Sequence, residues 1–165
     1  MPNSRTENKP PGYSIRRATL EDADTIVAHR KGMVRDIHPS KTALLDGMGT
    51  AFEQWLIPRV REGKYLGWLA VSPDGLVAAG IGLWLIDWPP TILSTSTYRG
   101  YILNVYTDPA HRKKGLARRL TQTALDWCRS NNINVIVLHA SQYGRPLYES
   151  LGFSANNEMR LILEK

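Results

Sequence analysis

The order of apolar and polar positions divides this chain into alternating strand-like and helix-like stretches. Tyr13 to Ala18 alternates and predicts a short strand. Thr19 follows as a helix cap, with Asp22 three residues on in a capping-box relation. Leu20, Ala23, Ile26, Val27 and Val34 then recur at helical spacing through about Arg35. A second helix is expected from Ala43 to Val60, with Leu45, Met48, Phe52, Trp55 and Leu56 on its apolar face. Pro58 is placed to kink or end it. From Lys64 the period becomes that of strands. KYLGWLAV and LVAAGIGLWLI read as partners joined by the turn SPDG. Gly80 and Gly82, inside the second of these, mark a bulge or a close approach.

After the irregular stretch WPPTILSTS, Tyr98 to Tyr106 predicts a further strand. A helix follows from Gly115 to about Ser130, with Leu116, Leu120, Ala124 and Trp127 on one side. NVIVLHA reads as a buried strand, RPLYESLGF as a short helix closing on glycine, and MRLILEK as a terminal strand. The predicted order is β-α-α-β-β-β-α-β-α-β: one α/β domain with a mixed sheet, spanning residues 13–165. Residues 1–12, rich in proline, asparagine and charge, are expected to form a disordered tail.

Composition narrows the function classes. A chain of 165 residues with 42% hydrophobic and 22% charged residues fits a soluble globular protein, and no apolar run reaches the ~20 residues of a membrane helix. The N-terminus lacks the apolar core of a secretory signal. A single cysteine, Cys128, excludes an internal disulfide and any multi-cysteine metal site; a reducing cytoplasm is the expected compartment and no metal is expected. The net charge of +6 is concentrated in the first 17 residues and in Arg112, Lys113, Lys114, Arg118 and Arg119, leaving the remainder slightly acidic. Two local clusters, unlike a basic stripe, argue against nucleic acid and for a small anionic ligand.

The second cluster lies in NVYTDPAHRKKGLARRL, where an apolar strand runs into Asp-Pro, a basic turn, a glycine and a helix start. A helix N-terminus leaves its first N–H groups without partners, and its dipole favours an anion. If His111 to Gly115 curls, successive N–H groups converge into a phosphate-sized nest. Gly115 leaves no side chain in the way, and Ala117 keeps the first turn thin. The plainer alternative is a solvated basic helix start. Neither a nucleotide-triphosphatase loop nor a dinucleotide-binding fingerprint is present.

The run Arg112-Lys113-Lys114-Gly115-Leu116-Ala117 resembles the Gln/Arg-x-x-Gly-x-Gly/Ala signature of the GNAT superfamily of acyl-coenzyme A-dependent N-acetyltransferases. ILNVYTDPAHR is similar to the family's fourth strand, RPLYESLGF to its closing helix and turn, and IRRATLEDAD to its first strand and helix. The resemblance covers about Tyr13 to Lys165. It implies splayed fourth and fifth strands with acetyl-coenzyme A between them. Amides from Lys113 to Arg118, with Arg112 beside them, would hold the pyrophosphate. The edge of Leu103, Asn104 and Val105 would pair with the pantetheine arm. Arg118 or Arg119 would reach the adenosine 3′-phosphate. Ser141 stands where relatives often carry asparagine, and Gly144 where alanine is frequent.

The same resemblance implies direct attack of a primary amine on the thioester in a ternary complex. The Val105 N–H becomes the oxyanion donor and Tyr148 the general acid, with Tyr143 a weaker alternative. No general base stands out: Asp36, His38, Asp46, Glu53, Asp87 and His139 each suit a surface or packing role. Trp55, Trp84 and Trp88 fall near the acceptor side, Trp55 and Cys128 fitting the core. The acceptor is a small amine or a protein amine, and relatives are often dimers. A coenzyme A-binding sensor without turnover is the competing class.

Overall fold

The computed structural model describes residues 12–163, so the expected tail falls, apart from Gly12, outside the described residues. Five strands form one sheet in sequential order: β1 (Ser14–Arg17), β2 (Tyr65–Val71), β3 (Val77–Asp87), β4 (Tyr98–Thr107) and β5 (Ile136–Leu138). The first four pair antiparallel, and β5 joins β4 in parallel. The helices are α1 (Ala23–Ile37), α2 (Leu45–Arg61), α3 (Leu116–Ser130) and α4 (Arg145–Ser150), with a 3₁₀ turn ahead of each of the first three. No helix among the described residues is long and apolar enough to cross a membrane.

The continuous apolar run of β2 has a direct cause: this strand is covered on both faces. On one face Leu66, Ile81, Leu83 and Ile102 meet Leu116, Leu120, Ala124 and Cys128 of α3. On the other, Tyr65 joins Ile26 of α1 and Phe52 and Leu56 of α2. Alternate side chains of one strand thus serve two cores. Cys128 is fully buried, and burial pushes its thiol up to about 11, in keeping with a packing residue.

Three expectations need correction. Of MRLILEK, the described residues Met159 to Leu163 form no strand: Met159, Leu161, Ile162 and Leu163 are exposed and outside any ladder, and Glu164 and Lys165 lie outside the described residues. The edge it would join, β5, is only 3 residues long, and the segment is held instead by Glu158 and Arg160 side chains facing His139 (3.6 and 3.2 Å). The fifth strand is itself shorter than NVIVLHA and half-buried, since it meets β4 only at Gly100–Ile102. Pro58 does not end α2 at its own position. It lies in the last turn, and the Glu62 N–H bonds its carbonyl at 2.9 Å, so the helix continues to Arg61.

At the start of the fold the Asp22 carboxylate accepts from the Thr19 N–H (2.8 Å) and from both Nη atoms of Arg16 (2.7 and 2.8 Å). The Arg16 bonds are the main cause that holds this carboxyl down to about 2. A depressed carboxyl stabilises the fold fully above its unfolded value near 3.8, and the effect fades as pH falls toward 2. Asp22→Ala is therefore expected to cost about 1–2 kcal/mol in urea unfolding at pH 6 and pH 8 alike. The gap from wild type should shrink at pH 3.

Candidate active site

The strand that carries the site is broken by one extra residue. Gly82 pairs with Leu103 and Gly80 with Tyr106, so Asn104 and Val105 together face Ile81 of β3. This is a β-bulge, and Asn104 sits at its turn with φ 54°. Asparagine is one of the few residues that accept left-handed backbone at low cost. Its side chain is buried and fully engaged: Oδ1 accepts from Arg30 Nη1 at 2.9 Å, and Nδ2 donates to the Tyr65 hydroxyl at 3.1 Å. Burial raises the Tyr65 phenol far above its usual range, so it stays protonated.

Gly82 makes room for this arrangement. A Cβ on it would lie 2.1 Å from the Tyr65 hydroxyl oxygen, and one on Gly80 would lie 2.7 Å from His29 Nδ1. Both expected signals, bulge and close approach, are present at these glycines.

Beyond Ile102, β4 has no β5 partner, and its edge from Leu103 to Thr107 borders open space. A cavity of about 680 Å³ occupies this region. Its sheet side is formed by Leu103, Asn104 and Val105, its far side by Leu138, Ser141 and Tyr148. Its helical side has Met33, Met48, Phe52 and Trp55, with Trp84 from β3 and Arg30 from α1.

Tyr148 on α4 is mostly buried, and its ring meets Phe153 edge-on at 5.9 Å. Burial pushes its phenol up to about 12, and its hydroxyl has no protein partner among the described residues. Ser141 Oγ accepts from the Gly144 N–H at 3.1 Å, which fixes the turn before α4 and leaves the serine proton for donation. Tyr143 is exposed and outside the cavity.

The glycine turn carries two residues with left-handed backbone. Lys113 and Gly115 have φ 62° and 72°, and Gly115 is the residue that caps α3. The first backbone bond of the helix joins the Arg119 N–H to the Gly115 carbonyl at 3.1 Å. The amides from Lys113 to Arg118 meet no backbone acceptor among the described residues. A Cβ on Gly115 would point into open space.

The basic side chains around this turn divide into two groups. Arg112 is tied to the Thr107 carbonyl (3.0 Å) and to Asp36 (2.6 Å), Lys114 to the Tyr13 hydroxyl (3.1 Å), and Arg119 to the Tyr13 carbonyl (2.8 Å). Lys113 and Arg118 remain exposed, Arg118 reaching Ser150 Oγ at 2.7 Å. Of the two arginines on the first turn of α3, Arg118 is exposed and Arg119 is partly buried against Tyr13.

Several acids expected as neutral candidates are otherwise occupied. Asp36, Asp46 and Asp87 pair with Arg112, Lys31 and Lys64, and Glu53 lies outside the cavity. His38 and His139 line it; the Tyr101 hydroxyl bonds His139 Nδ1. Trp55 packs with Phe52 and Trp84 (5.6 and 5.1 Å) and serves both core and cavity wall, whereas Trp88 leaves the site to cover Arg99 at 3.7 Å. Arg30 and Tyr65 were not legible as site residues from periodicity alone. A signal for Arg30 was present, since it sits between Ile26 and Val34 at four-residue steps on an otherwise apolar stripe.

A parallel β4–β5 pair that meets only at Gly100–Ile102, a bulged β4 and a helix that starts on a glycine make up an acyltransferase-type fold. The chain belongs to the acetyltransferase (GNAT) family, whose model matches residues 31–153. A GCN5-related N-acetyltransferase from Ralstonia eutropha JMP134 is 36% identical over 92% of this chain and 99% of that one, with a TM-score of 0.87. A predicted acetyltransferase from Clostridium acetobutylicum, crystallised with acetyl-CoA, is 27% identical over 92% and 96%, with a TM-score of 0.77. Glucosamine 6-phosphate N-acetyltransferase of Trypanosoma brucei brucei is 37% identical over 65 residues, 39% of this chain. The match spans 44% of that relative, less than half its length. The protein is an acyltransferase enzyme of this family.

The buried triad under the bulge gives a test. Gly82→Ala is expected to displace the Tyr65 hydroxyl from Asn104 and lower stability by about 1–3 kcal/mol, read by thermal or urea unfolding. Wild-type stability in that variant would show that the close approach does not constrain the bulge.

Proposed function

We propose that the chain transfers an acetyl group from acetyl-coenzyme A to a primary amine by direct attack in a ternary complex. The observation that carries this reading is the row of unpartnered amides from Lys113 to Arg118, beside a β4 edge with no strand partner. Residues with these properties fit the two parts of the cosubstrate. The nest suits a pyrophosphate, helped by the α3 dipole and by the exposed Lys113 and Arg118. The Leu103–Val105 edge suits the amides of a pantetheine arm by strand addition, and the Ser141 hydroxyl adds a donor from the opposite wall. Bound there, acetyl-coenzyme A supplies an activated acyl group at the bulge.

The chain's own residues then supply polarisation and a proton. The register shift beside Val105 supports its N–H as the donor to the oxygen that gains charge as the amine adds. The attacking amine must arrive unprotonated, and the C–S bond breaks as the C–N bond forms. Tyr148 gives its proton to the leaving sulfur, and the proton lost by the acylated nitrogen restores the phenol through solvent; a phenol held near 12 is protonated again before the next turnover. The missing internal partner for its hydroxyl supports this role. The acid-poor cavity supports a substrate that meets the enzyme already deprotonated, without a dedicated carboxylate base.

Two variants test separate parts. Tyr148→Phe should keep coenzyme A affinity by calorimetry and lower turnover about 100-fold in a free-thiol assay; equal turnover at every pH removes Tyr148 from the chemistry. Gly115→Glu should abolish coenzyme A binding, through strain at φ 72° and repulsion of phosphate. Wild-type affinity in that variant would falsify the nest.

A further inference from the structure

The cavity contains one fixed positive charge and no carboxylate. Arg30 projects from α1 into its wall, while no Asp or Glu lines it. The contrast with other cations is informative. Arg16, Lys31, Lys64 and Arg112 each pair with an acid at 3.4 Å or less. Arg30 is half-buried, yet no carboxylate among the described residues pairs with it. A desolvated guanidinium without a counter-charge is costly unless something supplies one. Only part of the group is used internally: Nη1 donates to Asn104 Oδ1, and the plane lies over the Phe52 ring at 4.5 Å. Nε and Nη2 meet no acceptor among the described residues and are not sealed from the cavity.

We propose that Arg30 binds the carboxylate of the acceptor, and that the acceptor is an amino carboxylate with an apolar or aromatic side chain. This rests on the acetyl-transfer reading above. Arg30 bonds the side chain of Asn104, the residue before Val105, so carboxylate and reacting amine are held close together, as they are in an α-amino acid. Met48, Phe52, Trp55 and Trp84 then receive the side chain. A polyamine or a lysine in a basic peptide would meet a like charge here and no acid. The fork that Asn104 leaves free matches one monoanionic carboxylate. A phosphate dianion would find no second cation in the cavity wall.

The test uses the full chain with acetyl-coenzyme A and a free-thiol readout. L-phenylalanine and L-methionine are compared with L-phenylalaninamide, phenethylamine, spermidine and glucosamine 6-phosphate, each rate expressed per unprotonated amine. L-phenylalanine should show kcat/KM roughly 30-fold above its amide, the worth of a charge-assisted bond removed from a partly buried site. Arg30→Gln should collapse that ratio to within about threefold, mostly through KM, and Arg30→Lys should leave an intermediate ratio, because it keeps the charge without the fork. The wild-type ratio alone decides the matter should Arg30→Gln disturb Asn104 and fail to fold. Equal use of the amide, or preference for spermidine or glucosamine 6-phosphate, overturns the carboxylate assignment and leaves acetyl transfer standing. Coenzyme A binding with no thiol release from any of these amines overturns both.

Discussion

The site depends on one buried set of hydrogen bonds, Tyr65 to Asn104 to Arg30, beneath the bulge of β4. A bulge is a defect in the ladder, and left-handed backbone at a non-glycine residue adds strain. Both persist because the asparagine side chain satisfies two neighbours that burial would otherwise leave unpaired. The same three residues belong to three elements: Tyr65 to β2, Asn104 to β4 and Arg30 to α1. The position of Val105 is therefore fixed by the packing of α1 on the sheet, and not by β4 alone. Gly82 completes the constraint by leaving space for the tyrosine hydroxyl.

The glycine turn follows a different principle. Its surplus of basic residues suggests that side-chain charge does the holding, but Arg112, Lys114, Arg118 and Arg119 are each bonded to the protein itself. Their bonds to Asp36 and Tyr13 pin the turn to α1 and to the strand start. What stays open is main chain: amides and a helix dipole, rigidly oriented and requiring no rotamer to be frozen on binding. The exposed charges of Lys113 and Arg118 add attraction for an anion at longer range.

Between these two features the cavity passes from polar backbone to an aromatic wall. Phe52, Trp55 and Trp84 pack on one another, so the wall is preformed by the core of the second layer. A half-buried arginine inside such a wall sets the sign of what can enter. Tyr101 and His139, bonded to each other, close the opposite rim.

The sequence by itself determined the order of elements as far as α4, the pairing of the two central strands across SPDG and the helix start at Gly115, because apolar periodicity and turn chemistry are local properties. The glycine pair at Gly80 and Gly82 also announced a bulge, and the signature around Gly115 placed the chain in its family. Tertiary structure decided the rest. MRLILEK has the pattern of a strand, but pairing needs a free edge in register, and β5 offers too short a one. Arg112, Lys114 and Arg119 look identical to Arg118 along the chain, and only the positions of Asp36 and Tyr13 separate them. Arg30 lies on the apolar stripe of α1, but its partner Asn104, 74 residues away, meets it only across the fold. Contacts of that kind join residues far apart in sequence, and their partners are set by how layers pack, which no local pattern encodes.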